Sequence, residues 1–333
     1  MTPVRTFNIA GIGKYLPQKQ VSSHALEEQL QLPEGWIERY IGVQTRYLAE
    51  TESNTEMGAK ALQSALNDAG ITIGDLDCLI GAAGTFDHVI PNRSSLIKAA
   101  FKEAHLYDFP CVDINTVCTS FITALDYASL LIQSGQHQTI AIVTSEISSK
   151  GLDPSNTETY CLFGDGAAAV ILTAGDDGGL IHSNQKTYSE GAINTMIAGG
   201  GNQYHPKDYP YDPALYSFKM DGKKLLKLAH QHLEEFIINF FSKSSLRLNE
   251  VNWIVPHQAS KLGLRMLCSL EEIESEKVID QLSLYGNCIA ASIPIALITS
   301  IEQGKIKEQD TCFLIGTAAG MSISGLLLKY TKS

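Results

Sequence analysis

The stretch Pro110-Cys-Val-Asp-Ile-Asn115 is short, largely apolar and β-branched, which is typical of a buried strand. It is followed by a long run of small and apolar residues at positions 118–134, and this run predicts a helix. Gly135 comes directly after the run, and glycine is common just past the end of a helix. Thr139-Ile-Ala-Ile-Val-Thr144 then predicts a second strand, so the segment has the order strand, helix, strand.

The same order of elements occurs a second time, nearer the end of the chain. Lys277-Val-Ile-Asp-Gln-Leu282 corresponds to the first strand, and residues 287–303 correspond to the helix, which stops at Gly304. Thr311-Cys-Phe-Leu-Ile-Gly316 corresponds to the second strand. Self-similarity of this kind indicates an internal duplication, and it should decide the fold assignment.

The duplication predicts an α/β protein made of two pseudo-symmetric halves, residues 1–174 and 175–333, packed through their central helices. The chain has 333 residues. Single cores stop growing at roughly 250–300 residues, which also favours two units. Strands that are apolar along nearly their whole length indicate sheets that are covered on both faces.

Composition indicates an ordinary enzyme and argues against several other classes. The formal charge of −11 argues against nucleic-acid binding. No apolar run reaches the ~18–20 residues that are needed to span a membrane. The seven cysteines are scattered and never have Cys-x-x-Cys spacing, so neither a disulfide framework nor a zinc site is expected. We predict a cytoplasmic protein that has no metal site.

Cys118 lies at the junction between a predicted strand and a predicted helix. A helix start offers free N–H groups and the positive end of the helix dipole, and both favour a thiolate. The simpler interpretation is a small buried apolar side chain, which is the usual role of cysteine in an apolar helix. Cys288, beside Asn287 at the second junction, is a weaker alternative nucleophile.

Two further polar residues stand in the duplicated core. His257 follows an apolar stretch that corresponds to residues 79–83, whereas Asn287 opens the second central helix, in the position that Cys118 has in the first. Pseudo-symmetry should bring both near Cys118. A structural histidine and a Gly-Asn turn are the alternatives, and His88 is the next histidine to consider. A nucleophile with two hydrogen-bond donors suits thioester formation and the stabilisation of an oxyanion.

Motifs spread over nearly the whole chain resemble those of β-ketoacyl-acyl carrier protein synthase III, a family of the thiolase-like superfamily. They lie at residues 36–46, 113–125, 163–167, 255–259 and 286–294. The resemblance implies a thiolase-like fold, with the two α/β halves packed as a five-layered αβαβα sandwich, and a homodimer. It also implies an acyltransferase of fatty-acid or secondary-metabolite biosynthesis. Such an enzyme takes coenzyme A or phosphopantetheine thioesters as substrates and needs no cofactor.

The same resemblance implies a role for each member of the trio. Cys118 accepts an acyl group from a thioester. His257 and Asn287 assist the decarboxylation of a malonyl-type thioester, whose enolate carbon attacks the acyl-enzyme to give a β-ketoacyl thioester. The backbone N–H groups of Cys118 and Ala319 are expected to form the oxyanion hole.

Recognition residues follow from the resemblance as well. Those expected to contact the substrate are Trp36, Phe163 and Ser260. The basic residues expected to dock an acidic acyl carrier protein are Lys227, Lys261 and Arg265. Tyr40 and Thr157 stand where the family has two arginines for the adenine of coenzyme A, so weaker recognition of the nucleotide is expected.

Two other functions are compatible with the sequence. An acyltransferase on the same scaffold would move the acyl group from Cys118 to an oxygen, nitrogen or sulfur acceptor without decarboxylation. A catalytically silent subunit would instead support a partner synthase. The complete set of thiol, imidazole and carboxamide favours a condensing enzyme over both alternatives.

Overall fold

The structure is a computed structural model that describes residues 3–270 and 273–333. Its strands are β1 Arg5–Thr6, β2 Asn8–Tyr15, β3 Lys19–Ser22, β4 Thr45–Leu48, β5 Cys78–Ala82, β6 Cys111–Ile114, β7 Thr139–Glu146, β8 Gly166–Thr173, β9 Gly179–Thr187, β10 Thr195–Met196, β11 Lys219–Met220, β12 Trp253–Pro256, β13 Thr311–Ala318 and β14 Ser322–Lys329. Its α-helices are α1 Ser23–Leu30, α2 Trp36–Tyr40, α3 Asn54–Ala69, α4 Arg93–Ala99, α5 Ser120–Gln133, α6 Thr157–Tyr160, α7 Gly222–Ser242, α8 Lys261–Cys268, α9 Leu282–Tyr285 and α10 Ser292–Glu302.

Four strands of each five-stranded sheet share one topology, which confirms the predicted duplication. The fifth strands differ, since β6 lies beside β5 and β1 lies at the opposite edge, beside β9. The first sheet has the order β2-β8-β7-β5-β6 and the second has the order β1-β9-β14-β13-β12. In the first, β5 and β7 are parallel and β8 is antiparallel to both β7 and β2. In the second, β12 and β13 are parallel and β14 is antiparallel to both β13 and β9. The boundary between residues 174 and 175 stays a prediction, since β1 crosses to pair with β9.

The five layers follow from three apolar cores. Between the sheets, α5 and α10 pack against inward-facing residues of both, such as Ile142 of β7 and Leu314 of β13. Helix α3 covers the outer face of the first sheet, where Val143 points. Helix α7 covers the outer face of the second sheet through Phe236 and neighbouring residues. Alternate residues of one strand thus serve two cores, as the pleat requires, and the predicted αβαβα sandwich is confirmed.

One predicted strand is wrong. Residues 277–282 form only a single parallel bridge, between Val278 and Ile254 of β12. The backbone groups that follow bond to the side chain of Gln258 and not to a strand. The Gln258 amide N–H donates to the Ile279 carbonyl at 3.1 Å, and its amide oxygen accepts from the Gln281 N–H at 2.9 Å. The second sheet therefore lacks a full counterpart of β6.

Both central helices begin later than predicted. Cys118 lies in a 3₁₀ turn, Val117–Thr119, and α5 starts only at Ser120. Asn287 stands five positions before the start of α10 at Ser292. In each case a serine at the helix start bonds back to the turn. The Ser120 Oγ accepts from the Thr116 N–H at 3.0 Å, and the Ser292 Oγ accepts from the Cys288 N–H at 2.9 Å.

The two turns before these helices have the same internal geometry. Val117 and Ile289 both have positive φ, 51° and 49°, which is an outlier for β-branched residues. Each is fixed by an asparagine two residues earlier, since the Val117 N–H donates to Asn115 Oδ1 and the Ile289 N–H donates to Asn287 Oδ1, both at 2.9 Å. The counterpart of Asn287 is therefore Asn115 and not Cys118, which corrects the predicted equivalence.

Candidate active site

The elements that carry the predicted trio meet at Gly316 of β13. A Cβ atom at this glycine would lie 3.1 Å from the Cβ of His257 and 3.2 Å from the Cγ2 of Thr119, the neighbour of Cys118. Any side chain here would therefore push these segments apart. The Asn287 amide reaches the same place, since its Nδ2 donates to the carbonyl of Ala259 at 3.2 Å, and the N–H of Ala259 donates to the His257 carbonyl at 2.8 Å.

Cys118 is half-buried, and its thiol is neutral at physiological pH. Its pKa is raised to about 12, first by desolvation in the surrounding protein and then by the charge of the Glu146 carboxylate. The backbone N–H groups of Ala319 and of Cys118 itself lower this pKa. The expected stabilisation of a thiolate by N–H groups is therefore present, but burial and the carboxylate outweigh it.

Those two backbone N–H groups act on one sulfur atom, as an oxyanion hole would require. Ala319 lies in the turn after β13, followed by Gly320 and Met321, which have positive φ values of 86° and 49°. Ala319 does not itself adopt positive φ, so its Cβ causes no strain there. The assignment of Ala319 to the oxyanion hole stays a prediction, and this geometry supports it.

His257 is buried and uncharged. Its backbone N–H donates to the carbonyl of Ile315 at 2.7 Å, which fixes the end of β12 beside β13. Burial lowers the pKa of its imidazole to about 4, so the ring is neutral at physiological pH. Its buried Nδ1 has no hydrogen-bond partner within the described residues. A neutral imidazole can donate one hydrogen bond without placing a permanent positive charge in the site.

The Asn287 amide is oriented by its own surroundings. Its oxygen accepts from the Ile289 N–H, so the NH₂ group must face Ala259 and the site. One N–H is used by the Ala259 carbonyl, and the second remains for a ligand. The backbone of Asn287 bonds to the two neighbours of Phe163. Its N–H donates to the Leu162 carbonyl at 2.9 Å, and its carbonyl accepts from the Gly164 N–H at 3.1 Å.

The alternative candidates for the nucleophile and the histidine lie in environments that are less suited to catalysis. Cys288 is 1% exposed, its sulfur contacts the Tyr285 carbonyl at 3.5 Å, and burial raises the pKa of its thiol. His88 is exposed on a loop after β5. Among residues 3–270 and 273–333, no group of three or more His, Cys, Asp or Glu side chains is arranged to hold a metal ion.

The predicted substrate-binding residues occupy different environments. Phe163 is 5% exposed and packs edge-on against Phe218 with ring centroids 5.2 Å apart, next to the Asn287 backbone. Trp36 begins α2 and lies 5.3 Å from the ring of Tyr40. Ser260 caps α8, since its Oγ accepts from the Gly263 N–H at 3.0 Å. Substrate contacts by these residues stay predictions.

The predicted docking residues also differ from one another. Lys227 on α7 and Arg265 on α8 are exposed. Lys261 instead donates to the carbonyls of Glu38 and Arg39 at 3.0 and 2.9 Å. These carbonyls lie near the C-terminal end of α2, where a cation is favourable. Lys261 therefore stabilises helix α2, which carries Trp36, and its role in docking stays a prediction.

Sequence reasoning missed Glu146, the last residue of β7. Its side chain is fully buried, and its two oxygens accept hydrogen bonds from both halves of the protein. The available signal was an acidic residue two positions after the apolar run at 139–144, at the same end of the sheet as Cys118. A carboxylate in that position cannot be solvated and must have partners.

Comparisons with known proteins agree with this geometry. The family model described as 3-Oxoacyl-[acyl-carrier-protein (ACP)] synthase III matches residues 112–189, and the model of its C-terminal part matches residues 241–330. The chain is 32% identical to the synthase III of Aquifex aeolicus over 97% of its own length and 99% of that protein. It is 31% identical to the synthase III of Clostridium perfringens, covering 96% and 98% of the two chains.

A solved structure shows the same fold. The crystal structure of the Aquifex aeolicus synthase III superimposes with a TM-score of 0.88 at 29% identity, covering 98% of this chain and 100% of that one. A thiolase-like sandwich whose central turns place a thiol beside two neutral hydrogen-bond donors is the architecture of the condensing enzymes. The chain belongs to the 3-oxoacyl-[acyl-carrier-protein] synthase III family. No helix in the described part of the chain is long and apolar enough to cross a membrane.

Proposed function

We propose that this enzyme catalyses the decarboxylative Claisen condensation of an acyl thioester with a malonyl-type thioester in fatty-acid or secondary-metabolite biosynthesis. The observation that carries the proposal is the placing of two neutral donors, the imidazole of His257 and the oriented amide of Asn287, beside the segment of Cys118. Such donors suit an enolate, because a carboxylate in either place would oppose its charge.

In the first stage, the Cys118 sulfur forms a bond to the acyl carbon of the donor thioester. The tetrahedral oxyanion is held by the N–H groups of Cys118 and Ala319. The bond to the donor sulfur then breaks, and the proton lost from Cys118 ends on that departing thiol. Because the pKa of Cys118 is raised, the thiol enters this stage protonated.

In the second stage, the malonyl thioester loses CO₂ and the electron pair of the broken C–C bond becomes an enolate. Its oxygen accepts hydrogen bonds from the imidazole of His257 and the free amide N–H of Asn287. The enolate carbon attacks the acyl carbon on Cys118, and the sulfur leaves to regenerate the enzyme. Coenzyme A or phosphopantetheine thioesters are the substrates, and no resident cofactor is needed. We place this chemistry in the cytoplasm.

A product assay separates condensation from simple acyl transfer. The enzyme is incubated with an acyl-coenzyme A and malonyl thioester labelled in the free carboxyl group. We expect labelled CO₂ and a β-ketoacyl thioester in equal amounts, both dependent on the acyl donor. Acyl esters, amides or thioesters formed without CO₂ would contradict the proposed function.

The exposed edge of the first sheet supports a homodimer. β6 forms this edge, and Val112 at its centre is 48% exposed. Phe86 and Ile90, on the loop after β5, are 50% and 86% exposed. An apolar edge strand next to exposed apolar side chains is a pairing surface that a monomer would normally protect. We propose that a second copy of the chain covers it.

We expect the exposed cations Lys227 and Arg265 to steer an acidic carrier protein. Lys227→Glu and Arg265→Glu together should raise the KM for a carrier-bound malonyl group about tenfold at low salt, and the effect should shrink at high salt, where the Debye length falls to a few ångströms. Lys307→Glu is the matched control, since this exposed lysine precedes β13 at the end of the sheet away from Gly316. If Lys307→Glu raised the KM as much as the double variant does, a local docking surface would be contradicted.

We also expect weak discrimination between acyl-coenzyme A and the same acyl group on a pantetheine fragment. Arg39 lies over the ring of Tyr40 at 5.5 Å, so this cation is engaged with a protein ring, and Thr157 is the first residue of α6. The acylation rates of Cys118 at subsaturating donor should differ by less than about 100-fold, or about 2.7 kcal/mol. A larger preference for the full coenzyme would show that the nucleotide is bound by other residues.

A further inference from the structure

Glu146 links the two halves of the protein, and its charge acts on the thiol of Cys118. Its carboxyl group is fully buried. Oε1 accepts from the Gly84 N–H at 2.6 Å, and Oε2 accepts from the N–H and the hydroxyl of Thr85 at 2.8 and 2.5 Å, all in the first half. Oε1 also accepts from the Ala290 N–H at 3.3 Å, in the turn of the second half that carries Asn287.

The repeated turn geometry shows what this last contact means. Asn287 corresponds to Asn115 and Ile289 to Val117, because each pair has the same hydrogen bond and the same positive φ. Counting one residue further, the counterpart of Cys118 is Ala290. In the first half, the N–H of Cys118 acts on the sulfur of the same residue, where the oxyanion is expected to form. The equivalent N–H in the second half is already occupied by the Glu146 carboxylate.

The turn at residues 287–292 needs such an anchor. Ile289 is β-branched and held at a φ of 49°, a conformation that persists only when the surroundings enforce it. At the start of the turn, the Asn287 backbone already bonds to Leu162 and Gly164 of the first half. The N–H groups of Cys288 and Ile289, by contrast, bond only within the turn or to the start of the helix that follows it. Past the strained Ile289, the Ala290 N–H donates to the first half of the protein through Glu146.

We propose that Glu146 is a positioning residue for Asn287: its carboxylate fills the second-half counterpart of the oxyanion hole and thereby holds the Asn287 turn against the first half. The inference rests on the proposed function, in which Asn287 donates to the enolate. Glu146 acts through the turn and does not touch the substrate. Its loss should therefore impair the condensation stage and leave the acylation stage largely intact.

The electrostatic surroundings of Glu146 also bear on its role. Burial raises the pKa of its carboxyl group above the ordinary value, and the charge of Arg93 and the hydrogen bonds from Thr85 and Gly84 offset this only in part. The same carboxylate raises the pKa of the Cys118 thiol. The charge of Glu146 thus disfavours a thiolate at Cys118. We therefore assign its contribution to the site to the hydrogen bonds that it accepts.

The test compares Glu146→Gln with Thr85→Val. The glutamine keeps the shape but replaces one acceptor oxygen by a donor, so it cannot satisfy all the N–H groups. The valine removes the hydroxyl contact in the first half and leaves the bond to Ala290. Amide hydrogen exchange is measured in peptides covering 287–292 and 115–120. Acylation and condensation rates are measured separately, the latter starting from acyl-enzyme.

For Glu146→Gln we expect faster exchange in the 287–292 peptide alone, acylation within about threefold of wild type and condensation slower by roughly 10- to 100-fold. Thr85→Val should leave the 287–292 peptide and the ratio of the two rates near wild type. If Glu146→Gln does not fold, Glu146→Asp, which retains the charge but has a shorter reach, is expected to show the same selective pattern.

Unchanged exchange at 287–292, equal increases in both peptides, or equal losses in both rates would overturn the proposal. Exchange does not depend on the reaction catalysed. If wild-type enzyme released no CO₂ from malonyl thioester, the proposed function would fail, and the exchange data alone would still decide whether Glu146 holds the turn.

Discussion

Replacing Cys118 by alanine is expected to abolish covalent loading by acyl thioesters. The sulfur is the atom on which the backbone N–H groups of Ala319 and Cys118 act. The variant should remain folded, since the residue is half-buried and the volume removed is small. Intact-protein mass spectrometry after treatment with acyl-coenzyme A should show the acyl increment for wild type and none for Cys118→Ala.

Cys288→Ala is the matched control, because it removes a buried thiol from the corresponding turn of the second half. We expect this variant to load at nearly the wild-type rate. Loading that persists in Cys118→Ala and maps to Cys288 would reverse the assignment of the nucleophile, since the two thiols would then have exchanged roles.

Replacing Asn287 by alanine is expected to separate the two stages of the reaction. Acylation of Cys118 should continue, because the oxyanion hole of that stage is built from backbone groups. Condensation should fall by about 10²–10³, the typical cost of removing one oxyanion donor. Rapid-mixing assays that follow acyl-enzyme formation and CO₂ release independently would measure both rates.

Asn287→Asp distinguishes the lost donor from a disturbed turn. Aspartate keeps an oxygen that can accept from the Ile289 N–H, so the turn is retained. Its negative charge opposes the enolate, however, and condensation should fall at least as far as in Asn287→Ala. If Asn287→Asp condensed normally, or if acylation and condensation fell together in Asn287→Ala, the amide would have a structural role only.

The layered fold could be predicted from the sequence because its strongest signals are periodic and repeated. The apolar runs at 139–144 and 311–316 became β7 and β13, which occupy equivalent places in the two sheets. The strand predicted at 277–282 failed for a reason that no pattern reveals. A single glutamine, Gln258, replaces the strand partner by bonding to the Ile279 carbonyl and the Gln281 N–H.

The identities of the site residues were more accessible than their backbone geometry. Cys118, His257 and Asn287 stood out because polar groups end apolar runs. The left-handed turns at Val117 and Ile289 could not be foreseen, since valine and isoleucine are among the least suited residues for positive φ. Those turns delay both helices and change which residues are equivalent in the two halves.

The long-range contacts of charged side chains could not be predicted from the sequence either. Lys261 was expected on a docking surface, but its amine bonds to the carbonyls of Glu38 and Arg39, more than 200 positions away. Glu146 joins Gly84 to Ala290 in the same manner. A sequence pattern reports the local environment of a charge, whereas its partners are set by how the two halves pack.

A single-turnover experiment tests the central claim most directly. The enzyme is loaded with one acyl group, freed of donor, and the acylated peptide is identified. Malonyl thioester labelled in its free carboxyl group is then added. We predict that Cys118 carries the acyl group, and that its return to the free thiol coincides with one equivalent each of labelled CO₂ and β-ketoacyl thioester. Loss of the acyl group without CO₂, or CO₂ release while Cys118 remains acylated, would contradict the condensing mechanism.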